Sequence, residues 1–155
     1  MRGRDVSPGF VVVAVLASVA SGCGDAAPNL PAGCTVGPVA TAVGELCGTR
    51  ASVASRSVDV FRGIPYGDST AGANRWQPPV PKTAWQGVRP AIDFGDICPQ
   101  KVPPYPSPPP GEDCLSLNLW RPTGADAASN LPVMLFIHGG GFDFGSGTPY
   151  RDPRL

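Results

Sequence analysis

Apolar and polar positions alternate in short segments along most of this chain, and that period of two predicts strands rather than helices. Residues 36–46 alternate weakly around Gly44, and with residues 48–53 they predict an N-terminal hairpin or small meander. Ser57-Val58-Asp59-Val60-Phe61 alternates more clearly and predicts a further strand, ended by a turn at Gly63-Ile64-Pro65-Tyr66-Gly67. Residues 68–97 carry Pro78, Pro79, Pro81, Gly87, Pro90 and Gly95, which leave no room for a helix of useful length. Trp76, Trp85 and Phe94 are expected to fold this irregular stretch back onto a core. Leu115, Leu117 and Leu119 then alternate with Ser116, Asn118 and Trp120 until Pro122 stops the strand, and residues 123–130 read as a polar hairpin turn. Val133, Met134, Leu135, Phe136 and Ile137 form an unbroken apolar run, the pattern of a strand buried on both faces. Such a strand needs helices packed on its sheet, and no convincing amphipathic helix is written in these residues. The expectation is therefore an α/β fold of which this chain holds only a part.

The first residues carry an address. Arg2 and Arg4 form a short basic region, residues 10–19 are nearly all apolar, and Ala20-Ser21-Gly22 precedes Cys23. The apolar core is shorter than the ~20 residues a membrane span needs, so residues 1–22 read as a signal peptide. The Ala-Ser-Gly-Cys run resembles a bacterial lipoprotein processing site, with Cys23 lipidated and becoming the new N-terminus. An ordinary secretory signal cleaved nearby is the alternative. Both make the protein exported, at the cell surface or in the periplasm on a lipid anchor, or else secreted. Residues 23–35 read as a flexible tether.

Composition narrows the partners. Twelve basic residues balance twelve acidic ones with no basic run, which argues against nucleic acid. Glycine and proline, 20 each, set a loop-rich fold against compositional disorder, and a hydrophobic fraction of 42% favours the fold. Residues 101–111 hold six prolines around Tyr105 and Ser107 and predict a stiff surface loop, with a proline-rich recognition peptide as its rival. The five cysteines leave one odd in an exported protein, and lipid on Cys23 would leave four.

The candidate chemistry follows the apolar run. His138-Gly139-Gly140-Gly141-Phe142 exposes backbone N–H groups that no side chain covers, an arrangement suited to a developing oxyanion. The matching nucleophile, a serine in Gly-x-Ser-x-Gly, is not among these residues. Ser146 in Gly145-Ser146-Gly147 lacks the strand-to-helix elbow that makes a serine nucleophilic.

Several blocks, taken in order, carry a resemblance. They are Asp-Val-Phe-Arg-Gly-Ile-Pro-Tyr from Asp59, Arg75-Trp76-Gln77-Pro78-Pro79, Cys98-Pro99-Gln100, Glu112-Asp113-Cys114-Leu115-Ser116-Leu117-Asn118, and the His138 to Gly141 loop. Over roughly residues 36–150 the chain resembles the N-terminal part of type-B carboxylesterases, the family that includes cholinesterases, within the α/β-hydrolase fold. The resemblance implies the early strands of a central mixed sheet plus the oxyanion-hole loop, with residues 36–155 as a truncated N-terminal part of the domain. Gly140 and Gly141 would be two oxyanion donors, and a third would follow the nucleophile. Gly139 and His138 would shape the loop, since the family's catalytic histidine lies far downstream. Cys98 and Cys114 match the family's first disulfide; Cys34 and Cys47 then pair by proximity and elimination. Each closes roughly 15 residues, worth about 3 kcal/mol in the chain-entropy estimate. Arg75 and Glu112 would form a structural ion pair.

The implied activity is serine hydrolysis of small-molecule carboxylic esters, without metal or organic cofactor and with membrane contact only through lipid on Cys23. The segment from Cys98 to Cys114 lacks the tryptophan that binds choline in cholinesterases and offers only Tyr105, so uncharged esters are the expected substrates. The 155 residues alone, lacking nucleophile, acid and base, are expected to be inactive. A non-catalytic binding protein of the same fold and an inactive truncated gene product are the alternatives.

Overall fold

Thr41 turns the first alternating segment back on itself: its hydroxyl donates to Gly44 O at 2.7 Å and accepts the Val43 N–H at 3.3 Å. The flanking strands β1 (Val36–Thr41) and β2 (Gly44–Val53) are antiparallel. β3 (Arg56–Pro65) pairs antiparallel with the second half of β2, and the short β4 (Val88–Pro90) lies parallel to its first half. β5 (Ser116–Pro122) completes the order β1-β2-β3-β5, antiparallel to β3. This computed structural model describes residues 29–101 and 110–148; the expected signal peptide, Cys23, part of the tether and most of the proline-rich loop lie outside the described residues. Within them the fold is a mostly antiparallel sheet, and the only helices are 3₁₀ turns at Gly72–Asn74 and Ala127–Ser129.

β2 changes neighbours in mid-strand, and Gly48 permits it. Residues 45–47 pair with β4 and residues 49–53 with β3. A Cβ at Gly48 would run into the Val60 carbonyl and the Phe61 ring, so the crossing strands meet only over a residue without a side chain. Beside that crossing sits the core: Val36, Leu46, Phe61 and Ala91, with Val39, Ile64 and Trp85 packed against them. Trp85 anchors its loop there, its indole N–H donating to Glu45 O at 2.9 Å. Cys47, fully buried next to Leu46, is bonded to Cys34.

One carboxylate spans three strands. Asp59 on β3 sits directly opposite Arg50 on β2 and Arg121 on β5. It is 2% exposed, and a buried charge is tolerated only when paired and hydrogen-bonded. Its Oδ1 accepts from Arg50 Nε and Thr123 Oγ1, both at 3.0 Å, and Arg121 Nε lies 3.5 Å from Oδ2. That last contact is a charge contact without hydrogen-bond geometry. The Arg121 guanidinium also stands 5.4 Å from the Phe61 ring centroid, which joins the ionic cluster to the core.

Several expectations need correction. The segment 63–67 is not a simple turn: β3 runs on to Pro65 through a bulge. Three steps on β3, Phe61 to Ile64, face two on β5, Leu119 to Leu117. Gly63 takes the extra residue at φ +62°, and its N–H, lost to the ladder, donates to Asn118 Oδ1 at 3.0 Å. Trp76 does not return to the core; it is 94% exposed. Phe94 instead supports the Arg62 guanidinium, 5.3 Å from its centroid.

Leu117 and Leu119 are about 40% exposed. Ser116, Asn118 and Trp120 are the more covered positions of this strand, which has β3 as its neighbour in the sheet. Residues 123–130 form a capped 3₁₀ turn, with Asp126 and Ser129 closing a capping box, but no strand returns from it. Residues 133–137 belong to no strand, and Val133 and Met134 are over 90% exposed. A strand buried on both faces needs neighbours and two covering layers, and the described residues supply neither.

Asp59→Ala should lower stability by about 2 kcal/mol, less than the ~3–5 kcal/mol of a fully enclosed pair because Arg50 is half exposed. Asp59→Asn, which keeps an acceptor, should lose less; urea midpoints followed by tryptophan fluorescence decide, and equal losses would refute the ionic role. A second prediction concerns acid. The Thr83 hydroxyl, the Lys82 ammonium and the Thr83 N–H hold the Asp68 carboxyl down to about 2. A depressed carboxylate contributes stability above its unfolded value and loses it as pH falls through the folded one. Stability should therefore fall between about pH 4 and pH 2, and Asp68→Asn should flatten that part of the profile in acid titrations of the urea midpoint.

Candidate active site

Two staples gather the loops at one end of β5. Cys98 and Cys114 are disulfide-bonded, and Gly111 N donates to Ile97 O at 2.9 Å, so residues 97–100 are fixed against the approach to β5. Ile97, 2% exposed, anchors that segment from below. Next to the disulfide, Glu112 receives Arg75 in a two-pronged pair, Nε to Oε1 at 2.6 Å and Nη2 to Oε2 at 2.7 Å. Its backbone carbonyl also accepts Thr70 N and Thr70 Oγ1, at 3.0 and 2.8 Å. The Arg75 hydrogen bonds to the Glu112 carboxylate hold that carboxyl below the usual range and raise Arg75 in return. Both groups touch solvent, so the pair's value lies in placing the loop at 69–75 rather than in net stability.

Beyond the exposed run 133–137 the chain reverses on its glycines. Gly140 and Gly141 have φ of +136° and +62°, and Phe142 follows at +64°. The Gly140 carbonyl accepts both Asp143 N and Phe144 N, at 3.1 and 3.2 Å, which closes a tight turn. A Cβ on Gly140 would collide with the Phe144 carbonyl, whereas Gly139 and Gly141 have open space where a Cβ would stand. Among the described residues, the N–H groups of Gly140 and Gly141 have no hydrogen-bond acceptor. An exposed turn with two free amide donors and no side chain over them can receive a partial negative charge.

The far limb of this turn is held by Gln100. Gly145 N donates to Gln100 Oε1 at 2.8 Å, and Gln100 Nε2 donates to Gly145 O at 3.1 Å and to Cys98 O at 3.2 Å. No local pattern marks Gln100 for this contact, because its partner lies 45 residues away. His138 turns its Nδ1 to the Gly139 carbonyl at 2.8 Å, and Ser146 Oγ accepts the Thr148 N–H at 3.3 Å. No hydrogen bond joins His138 to Ser146 among the described residues. Nor do the described residues hold a cluster of three or more His, Cys, Asp or Glu side chains suited to a metal ion.

Comparison of the sequence with known proteins finds relatives. Phenmedipham hydrolase of Pseudarthrobacter oxydans is 44% identical over 97 residues, which cover 57% of this chain and 19% of that protein. Carboxylic ester hydrolase of Bombus ignitus is 37% identical over 121 residues, 74% of this chain and 22% of its own length. Acetylcholinesterase of Electrophorus electricus is 38% identical over 122 residues, 71% of this chain and 19% of that protein. The chain thus spans about a fifth of the length of these relatives. Residues 36–155, from the first strand through the glycine turn, match the model of the carboxylesterase family, and the chain belongs to that family.

Proposed function

We propose that the full-length protein is an exported serine hydrolase of uncharged carboxylic esters, built on the α/β-hydrolase fold. In this reading these residues supply two oxyanion donors, the N–H groups of Gly140 and Gly141, while other residues of the protein supply nucleophile, acid and base. The observation that carries it is the glycine turn, where two adjacent amides have no acceptor among the described residues and Gly141 has open space where a side chain would stand. Relatives whose printed names are ester hydrolases or esterases support the chemical class.

The reaction divides between the two parts. Serine Oγ attacks the ester carbonyl as histidine takes its proton, with glutamate orienting the imidazole. The carbonyl oxygen gains negative charge, and the two amides stabilise it more strongly than the neutral ester. The tetrahedral adduct expels the alcohol, which takes the histidine's proton, and leaves an acyl-serine. Water then attacks that acyl group by the same route and releases the acid. Gly139 and His138 shape the turn. The disulfides suit an oxidising compartment, with either lipid on Cys23 or plain secretion as the mode of export.

The full-length protein should hydrolyse p-nitrophenyl butyrate well above the buffer rate. Gly140→Ala should lower kcat by about 100-fold, with a much smaller change in KM, because its methyl group displaces the turn from the Phe144 carbonyl. A wild-type protein without esterase activity, or a folded Gly140→Ala protein with undiminished kcat, would refute the reading.

A further inference from the structure

We propose that Gln100 is a positioning residue for the oxyanion turn, coupling the disulfide-anchored segment to the donors at Gly140 and Gly141; the catalytic half of this inference rests on the esterase reading above. Its primary amide satisfies both backbone groups of Gly145 at once, accepting the N–H at 2.8 Å and donating to the carbonyl at 3.1 Å. The second amide hydrogen goes to Cys98 O at 3.2 Å. Both donors and the acceptor of one side chain are thus engaged, and a side chain so engaged has little freedom to move.

Gly145 is a point from which the turn can be aimed. It stands at φ +121°, and a Cβ added there would press on the Gly139 carbonyl and on His138 Nδ1, each 2.5 Å away. The backbone of Gly145 therefore lies directly under the first residues of the glycine run. Gly140 rests on the next link: an added Cβ would strike the Phe144 carbonyl, with Gly145 N only 3.5 Å away. Fixing Gly145 fixes the floor on which Gly140 sits, and Gly140 carries one of the two free donors. Among the described residues, the segment leading into the turn is exposed and outside any strand.

Gln100 is itself well placed to act as a fixed post. It lies two residues beyond Cys98, which is bonded to Cys114 at the mouth of β5, and three beyond the buried Ile97. Rigidity passes from the sheet through the disulfide to Gln100, and from Gln100 through paired backbone hydrogen bonds to the turn. An oxyanion donor displaced by about 1 Å can cost roughly 100-fold in rate, so such a tether acts on the transition state without touching substrate.

Two variants test this in the full-length protein. Gln100→Ala removes all three hydrogen bonds, and Gln100→Glu keeps an acceptor for the Gly145 N–H while losing both donors. Hydrogen exchange at the Gly145 amide, read by NMR or peptide mass spectrometry, reports the tether without reference to activity. It should accelerate about tenfold or more in Gln100→Ala and less in Gln100→Glu, in line with loss of one to two ordinary hydrogen bonds. With p-nitrophenyl butyrate, kcat should fall by about 10- to 100-fold in Gln100→Ala at nearly constant KM, with Gln100→Glu between it and wild type. If Gln100→Ala fails to fold, Gln100→Glu carries the comparison alone. Unchanged Gly145 exchange overturns the tether. Accelerated exchange with wild-type kcat overturns the positioning role. A wild-type protein that hydrolyses no ester overturns the esterase reading and with it the positioning role, while the exchange experiment still decides the tether.

Discussion

The buried carboxylate of Asp59 ties together three strands of the described structure. A charge taken out of water must be met from several sides, and Asp59 is met by Arg50 from one neighbouring strand and by Arg121 and Thr123 from the other side. Because the partners sit on β2 and just opposite on β5, satisfying the charge fixes the register of three strands at once. These contacts lie at the end of β5, at Arg121 and Thr123. Arg121 carries the constraint into the core by lying against Phe61, which also packs beside the crossing at Gly48.

From that fixed edge the structure reaches the glycine turn by progressively lighter means. A disulfide ties residues 97–100 to the start of β5, a two-pronged ion pair ties the loop at 69–75 to Glu112, and one glutamine amide ties the turn to the disulfide segment. The gradient has a chemical logic. The sheet sets positions coarsely, and the hydrogen bonds at Gly145 set them finely.

Short-range alternation was legible in the sequence as the β1–β2 hairpin and β3, because a strand's side-chain period survives wherever one face is buried. Gly63 lay inside an alternating segment and carried the signal for a bulge, but a following Ile-Pro pair reads equally as a turn; only the side chain of Asn118, 55 residues away, decides between them. Leu117 and Leu119 misled about which face of β5 is covered, since hydrophobicity names the face that could be buried and not the layer that buries it. The same reason left residues 133–137 without a strand: their pattern expects neighbours that the described residues do not provide. At the candidate site the triple glycine stood out because few other uses demand it directly after an apolar run. Gln100 stood in the sequence only as part of the Cys98-Pro99-Gln100 block, because its partner Gly145 is brought near only by the folded chain.

The most direct measurement is covalent labelling of the full-length protein with paraoxon, followed by peptide mass spectrometry. Serine Oγ would attack phosphorus and expel p-nitrophenolate, leaving one diethylphosphoryl group on the nucleophile. The account predicts a single labelled serine outside residues 1–155, with labelling slowed when Gly140 is replaced by alanine, because the phosphoryl oxygen uses the same amide donors. Absence of labelling, or a label on Ser146, would contradict it.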